Sequence, residues 1–401
     1  MKRPTEPLPF GELIALLALT VSLVAMSTDI MLPGLADIGR DLCVTDINKT
    51  QYVVSILFIG FGIGQLLAGP LSDTFGRKPI IYLGFAIFIA GSLLSMLATD
   101  FYVMLAGRVL QGLGAAGPRV VPVALIRDGY EGRAMARIMS FIMAVFMLVP
   151  ALAPVVGQVV IMVAGWRACF ALLLAMASIA FVWFSLRQPE TLRSKNRRRF
   201  TLASLGSGML EACRIRATVG YTLTAGLVFG AFLSYLATSR QIFQDVYDTG
   251  EWFALYFGMA AIALGAGSIT SSKLVVRIGM HPLVVYGLVI ATLASWAFLT
   301  GLLSVTTAPP LWLFMIWLLI LFGCRGFVFG NINALAMEPL GHMAGLGAAI
   351  IGSVSTLIAL SLSVLIGAQF DGTIVPLVVG FAVLDLAALG VIAWTEKGSK
   401  S

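Results

Sequence analysis

Long apolar runs alternate with short polar segments along the whole 401-residue chain. Each run is long enough for a helix that crosses about 30 Å of hydrocarbon, which takes about 20 residues. Within lipid, every backbone amide must be satisfied inside the protein, so we predict helices rather than loops or isolated strands. Twelve spans are predicted, near residues 11–34, 50–71, 79–98, 101–126, 135–159, 164–186, 217–240, 250–272, 282–303, 311–333, 343–370 and 374–395.

The longest polar stretch lies between the sixth and seventh spans and divides them evenly. We therefore expect an all-α integral membrane protein whose twelve transmembrane helices form two six-helix halves. The N-terminal half covers residues 1–186, a basic cytoplasmic linker covers 187–216, and the C-terminal half covers 217–401. The arginine run 197–199 in the linker either binds anionic lipid headgroups or only fixes the topology.

Composition supports a membrane protein and excludes soluble classes. Hydrophobic residues make up 59% of the chain and charged residues only 11%, against about 25% charged in soluble domains. The mean hydropathy is +0.98, so we exclude a soluble enzyme, a nucleic-acid-binding protein and a disordered chain. The four cysteines and two histidines show no metal-ligand spacing.

The distribution of Lys and Arg predicts the orientation in the membrane. With the N-terminus in the cytoplasm, 19 of the 26 basic residues fall on the cytoplasmic side, four fall outside and three lie within spans. Because cytoplasmic loops collect Lys and Arg, we expect both termini to be cytoplasmic. The net charge of +7 therefore needs no nucleic-acid partner.

A short repeat suggests that the two halves are related. Residues 76–79 (Gly-Arg-Lys-Pro) open the third span, and residues 279–282 (Gly-Met-His-Pro) open the ninth span 203 positions later. Paired halves around a central site are a common transporter plan. Val276 and Met280 stand where the first half has an acid and an arginine, so we expect the charge pair only in the first half.

The loop between the second and third spans carries the strongest local pattern. It reads Gly-Pro-Leu-Ser-Asp-Thr-Phe-Gly-Arg-Lys-Pro from Gly69 onward. Gly69 permits close helix contact, and Gly76 permits a tight turn with positive φ. Asp73 and Arg77 place opposite charges at a helix end near water.

This loop resembles the signature of the major facilitator superfamily. The resemblance implies that the loop latches one conformational state of a transporter. It also implies that an acid at the end of span four, here Asp128, completes a charge relay with Asp73 and Arg77.

Two further segments resemble motifs of proton-coupled drug antiporters. Residues 105–116 resemble the fourth-span motif, and Pro150, Pro154 and Gly157 resemble the fifth-span antiporter motif, although Gln158 stands where a second glycine is common. These three residues lie on one side of the predicted helix and would break or bend it. They could set the rocking geometry, or form a plain packing kink.

Residues 27–33, 127–128 and 339–345 resemble the bicyclomycin and chloramphenicol resistance (Bcr/CflA) subfamily. The resemblance implies a secondary active exporter, not an enzyme, in the bacterial inner membrane. It would act as a monomer and exchange protons for phenicol- or bicyclomycin-like amphipathic compounds by alternating access, with no cofactor or metal. A same-fold exporter of a metabolite or siderophore, or a proton-coupled importer, stays open.

Charged residues within spans are functional candidates because they are costly in lipid. Asp29 and Arg108 are predicted at the same depth, about 7–10 Å below the outer surface at 1.5 Å per residue. They could form an ion pair or share a cavity. We expect Asp29 to exchange protons and contact substrate; a helix-capping role near Pro33 is the alternative.

Other polar residues within spans are possible cavity residues. Arg119 is predicted on the same helix face as Arg108. Arg325 and Asp385 are both predicted near mid-membrane, where we expect them to pair, as a transport site or as a structural bridge. The remaining candidates could contact substrate or only bond to backbone: Tyr52, Gln65, Gln111, Asn331 and Asn333.

Overall fold

A computed structural model describes residues 8–130, 132–192, 197, 202–304 and 308–397. Helices supply the regular structure of these residues. In the first part of the chain they are α1 (Phe10–Asp29), α2 (Leu35–Asp41), α3 (Tyr52–Ser55), α4 (Leu57–Phe75), α5 (Arg77–Met96), α6 (Phe101–Gly129), α7 (Gly132–Ala164) and α8 (Trp166–Arg187). They continue as α9 (Leu202–Arg214), α10 (Arg216–Arg240), α11 (Phe253–Ile278), α12 (Met280–Leu303), α13 (Leu311–Met337), α14 (Ala344–Gly367) and α15 (Val375–Lys397).

Among the described residues, 11 helical stretches are long and apolar enough to cross a membrane. The predicted fifth span corresponds to α7, whose apolar part, Leu148–Ala164, is shorter than the others. The predicted all-helical membrane fold is therefore confirmed.

Several boundaries differ from the predicted ones. The first span ends as an α-helix at Asp29, and a 3-10 turn with Pro33 follows. The second span is interrupted at Ile56, between α3 and α4. The linker contains α9, a helix that we did not predict. Both chain termini and most of the arginine run 197–199 lie outside the described residues.

The chain forms two compact units. The first comprises Met1–Thr45 and Ile56–Gly208, and the second comprises Asp46–Ser55 and Met209–Ser401. The first turns of the second span thus pack with the second unit, although they precede most of the first unit along the chain.

Close helix packing organises the first unit around α6. A Cβ atom added at Gly112 would lie 1.9 Å from the Leu57 carbonyl oxygen of α4. One added at Gly114 would lie 2.2 Å from the Phe88 amide nitrogen of α5. Glycine in α6 therefore lets both neighbours approach at backbone distance.

The predicted repeat appears as the same turn in both units. Gly76 (φ 112°, ψ 157°) precedes α5, and Gly279 (φ 90°, ψ 163°) precedes α12. Only glycine adopts this conformation readily. Lys78 Nζ donates to the Ser185 carbonyl at 3.0 Å, so the first turn is tied to the end of α8.

The second turn has an acid–base contact of its own. His281 Nε2 contacts the Glu396 carboxylate at the end of α15. Val276 and Met280 are uncharged, so the Asp73–Arg77 pair of the first half has no counterpart at these two positions. The contact at this turn comes from the neighbouring histidine.

Candidate functional site

Arg77 connects three elements at the start of α5. Its Nη1 lies 2.5 Å from Asp73 Oδ1 of α4, and its Nε lies 2.8 Å from Asp128 Oδ2 of α6. The Arg77 side chain is only 4% exposed, so these charge-assisted bonds are shielded from solvent. The predicted pairing of Arg77 with both carboxylates is present.

Ser72 joins this cluster and was not predicted. Arg77 Nη1 donates to Ser72 Oγ at 2.8 Å. The Ser72 hydroxyl in turn donates to the Gly69 carbonyl at 2.8 Å. Gly69 therefore contributes through its backbone oxygen. We call Ser72, Asp73, Arg77 and Asp128 the charge latch.

Glu190 caps the first turn of α5 and was also not predicted. Its carboxylate accepts hydrogen bonds from the Arg77 amide at 3.1 Å, the Lys78 amide at 3.0 Å and the Leu192 amide at 2.9 Å. A carboxylate is favoured there because the first amides of a helix lack partners and the helix dipole is positive. Thr191 donates to Asp128 Oδ2 at 3.3 Å, so the start of the linker covers the charge latch.

Asp29 and Arg108 are both buried, but they do not pair within the described residues. Asp29, the last residue of α1, is 3% exposed. Among the described residues its Oδ1 has no hydrogen-bond partner. The two residues were predicted at the same depth, where they could form an ion pair or share a cavity. Of these alternatives, a direct ion pair is not observed among the described residues.

Arg108 is held by an amide instead. It is fully buried in α6, and its Nη1 donates to Gln111 Oε1 at 2.6 Å. Gln111 Nε2 donates to Ser92 Oγ of α5 at 2.8 Å, and Ser92 donates to the Phe88 carbonyl at 2.8 Å. Gln111, predicted as a cavity residue, therefore positions Arg108.

The fifth-span motif packs against the end of α1. The helix α7 continues through Pro150 and Pro154, so it is not broken there. A Cβ atom at Gly157 would lie 2.1 Å from the Ile30 carbonyl oxygen. Gly157 thus lets α7 approach the backbone of the residue that follows Asp29.

The predicted pairing of Arg325 with Asp385 is confirmed. Arg325 Nη2 of α13 lies 2.8 Å from Asp385 Oδ1 of α15, and both side chains are 0% exposed. The guanidinium carbon lies 5.1 Å from the centre of the Phe381 ring. The contact is ionic rather than a directed hydrogen bond. Within the described residues, Arg325 Nε and Nη1 and Asp385 Oδ2 have no hydrogen-bond partner.

The remaining candidate cavity residues are two asparagines of α13 and three half-buried side chains. Asn331 Nδ2 donates to Ser271 Oγ at 2.9 Å and to the Phe327 carbonyl at 2.7 Å. Asn333 Nδ2 donates to the Phe329 carbonyl at 2.8 Å, so the alternative of bonding to backbone applies to both asparagines. Three candidates are half-buried: Tyr52, Gln65 and Arg119.

Comparison with known proteins agrees with this architecture. A bicyclomycin resistance protein homolog of Haemophilus influenzae is 28% identical over 397 residues, covering 96% of this chain and 97% of that protein. Multidrug resistance protein MdtL of Citrobacter koseri is 28% identical over 342 residues, covering 83% and 82%. The crystal structure of a D-xylose–proton symporter matches the fold with a TM-score of 0.77 at 15% identity, covering 95% of this chain and 97% of that one.

The family model described as Major Facilitator Superfamily matches residues 17–393. These residues include most of both units, the charge latch and the buried charges. The predicted resemblance to the bicyclomycin-resistance branch is confirmed by its relatives. The chain is a multi-pass membrane transporter, not an enzyme, and it belongs to the major facilitator superfamily.

Proposed function

We propose that this transporter exports small amphipathic compounds, phenicol- or bicyclomycin-like, in exchange for protons. It would lie in the bacterial inner membrane with both termini in the cytoplasm, act as a monomer by alternating access, and use the proton as its coupling ion. The observation that carries the proposal is the buried Asp29 carboxyl, whose Oδ1 has no hydrogen-bond partner among the described residues.

The surroundings of Asp29 favour its neutral form. An ionised carboxylate is costly within a membrane when it is 3% exposed and its Oδ1 has no hydrogen-bond partner among the residues that the structure describes. A proton would remove that cost, so the proposal assigns the transported proton to Asp29. A conformation that brings water or a cationic substrate to Asp29 would stabilise the ionised form and release the proton.

Arg108 would control when Asp29 releases its proton. Its guanidinium is bonded to Gln111 in this state. Because α6 packs against α4 and α5 at backbone distance, a shift of these helices would carry Arg108 with it. A change in helix packing would thus be coupled to the charge that Asp29 experiences.

The charge latch and the fifth-span motif would set the conformational states. The charge latch joins the ends of α4, α5 and α6 that the proposed topology places in the cytoplasm, so its release would permit these helices to separate. Gly157 holds α7 against the chain beside Asp29, which would exclude water and limit proton leak. Each proton that enters along a potential of 100 mV supplies about 2.3 kcal/mol for export.

Ligand-induced proton release tests the proposal. Purified protein in weakly buffered detergent receives phenicols, bicyclomycin and lipophilic cations in turn, and the pH is recorded. We expect release from the parent protein and none from Asp29→Asn. Asp37→Asn is the matched control, because Asp37 lies in α2 with a side chain 42% exposed, and it should release protons like the parent.

Each outcome has a defined meaning. Release that vanishes only in Asp29→Asn supports competition between drug and proton at Asp29. Release that persists in Asp29→Asn refutes the assignment of Asp29. No release from folded parent protein with any compound refutes drug–proton exchange and favours export of a physiological metabolite.

A further inference from the structure

The linker helix α9 exposes an apolar side to its surroundings. Met209 is 40% exposed and Leu210 is 55% exposed, and Cys213 is also exposed. Met209 and Leu210 precede Cys213 by four and three positions, so the three side chains lie on one side of the helix. Ala212 is buried, so an adjacent side of α9 packs against protein. We call Met209, Leu210 and Cys213 the apolar face of α9.

The connection to α10 holds this apolar face close to the membrane. The helix α9 ends at Arg214, and α10, which is long and apolar enough to span a membrane, begins at Arg216. Two residues reach at most about 7 Å, so α9 ends near the first turn of a span. Ile215 between the two helices is extended, with φ -90° and ψ 105°. The axis of α9 therefore does not continue that of α10.

Side chains that are typical of a membrane–water interface mark the level of this connection. Arg216 donates to the Trp394 carbonyl near the end of α15, and its guanidinium carbon lies 4.5 Å from the centre of the Trp394 ring. Trp394 is 47% exposed. Because tryptophan is enriched at the headgroup level of spanning helices and arginine in the adjoining cytoplasmic loops, we place the start of α10 at that level.

The charge of the linker favours one kind of surface. Residues 193–216 contain seven Arg or Lys and a single acid, Glu211. Arg214 and Arg216 are exposed, and the other five basic residues precede α9 in the sequence. About four to eight basic residues beside a spanning or amphipathic helix attract anionic lipid headgroups. A second copy of this chain would bring the same positive charge to the contact, which is unfavourable.

We propose that α9 is an interfacial helix that binds anionic phospholipids. Its apolar face enters the boundary between headgroups and acyl chains, and the basic residues of the linker contact lipid phosphates. This proposal rests on the proposed function only for the topology, which assigns the contact to the inner leaflet. The binding strength of such helices depends on both the buried apolar area and the attraction to anionic lipid, so each contribution can be tested separately.

Fluorescence quenching at Cys213 measures whether the apolar face enters the bilayer. Cys43, which is also exposed, is replaced by serine, and Cys213 carries an environment-sensitive fluorophore. The full chain is reconstituted into vesicles of phosphatidylcholine alone or with about one third phosphatidylglycerol. Acrylamide quenches from the water and is uncharged, so the vesicle charge does not alter its local concentration. Cys213→Ser reports any labelling of the buried cysteines.

We expect phosphatidylglycerol to lower the acrylamide quenching constant about threefold. Met209→Glu should abolish most of this protection, because a carboxylate on the apolar face resists entry into the bilayer. Ser207→Glu is the matched control: it adds the same charge at an exposed position of α9, about 200° around the helix from Met209, and should keep most of the protection. Replacement of the arginine run 197–199 by glutamine should weaken the protection although the apolar face is unchanged.

The proposal is overturned if the quenching constant is the same in both lipid mixtures. A low constant in both would mean that protein or a second copy covers the apolar face, and a high constant in both would mean that water does. It is also overturned if Met209→Glu and Ser207→Glu act alike, or if the glutamine variant keeps full protection. Both lipid mixtures are compared on the same protein, so the main result does not depend on the folding of a variant. Because the assay needs neither drug nor proton gradient, failure of the proton-release experiment leaves this result independent.

Discussion

The buried Arg325–Asp385 contact predicts strong coupling between two distant positions of the second unit. Both side chains are fully buried, and a single ionic contact of 2.8 Å joins them. Arg325→Met would leave an unpaired carboxylate, and Asp385→Leu would leave an unpaired guanidinium. Each single variant should lose about 3–5 kcal/mol of unfolding free energy, the usual cost of breaking a buried ion pair.

The double variant should recover most of this loss. Met and Leu fill a similar volume and leave no charge behind. Besides the two atoms of the ionic contact, three polar atoms of the pair lack hydrogen-bond partners within the described residues, and each such group costs about 1–3 kcal/mol. Removing both residues also removes these costs, so we expect a coupling energy of about 3 kcal/mol or more.

Denaturant unfolding in detergent, followed by tryptophan fluorescence, measures all four proteins of the cycle. The control cycle combines Arg325→Met with Asp371→Asn, an exposed aspartate before α15, and should be additive within about 0.5 kcal/mol. If Arg325→Met and Asp385→Leu are also additive, the pair does not interact and the structural argument is refuted. If transport returns in the double variant, the pair is a structural bridge rather than a transport site.

Three further changes test individual contacts. Gly157→Ala should lower the unfolding free energy by about 1–3 kcal/mol, because its methyl group would collide with the Ile30 carbonyl; an unchanged melting temperature would contradict the close approach. Glu190→Ala should cost about 1–2 kcal/mol by removing a helix cap that accepts three amides, whereas Glu190→Gln should cost less, and equal stability of both variants and the parent would exclude capping. Gln111→Leu should cost about 1–3 kcal/mol because Arg108 Nη1 loses its buried acceptor, and a neutral effect in the same unfolding assay would show that Arg108 is held by other groups.

The sequence predicts those contacts that follow from helix geometry or from the free-energy cost of a charged side chain in lipid. Asp73 and Arg77 are four positions apart across a helix end, and the turn at Gly76 brings them together. Arg325 and Asp385 could be matched because two opposite charges at the same depth in lipid strongly favour pairing.

Depth alone does not predict which way a side chain points. Asp29 and Arg108 share a predicted depth, which allowed either an ion pair or a shared cavity, yet Arg108 bonds to Gln111 on its own helix. The packing of small residues in α6 decides how each helix is rotated about its axis. The residue pattern of one helix alone does not reveal this packing.

The partners of two kinds of residue could not be predicted from the sequence: neutral amides within spans and residues of the connecting segments. Gln51 donates a hydrogen bond to Gln241, 190 positions away, and an amide within a span is not costly enough to require one particular partner. Glu190 follows α8 closely, but its position in sequence does not say that it caps α5.

The placement of residues 46–55 has a consequence for biosynthesis. The Asn48 side chain donates to the Phe370 carbonyl, 322 positions away. At about 5–20 residues per second, a ribosome needs about 16–64 seconds to synthesise that interval. During that time, most of the first unit can assemble while Gln51 has no Gln241 to bond. We therefore expect the amino-terminal turns of span two to be a late-folding segment, exposed to membrane chaperones and proteases until α14 has been inserted.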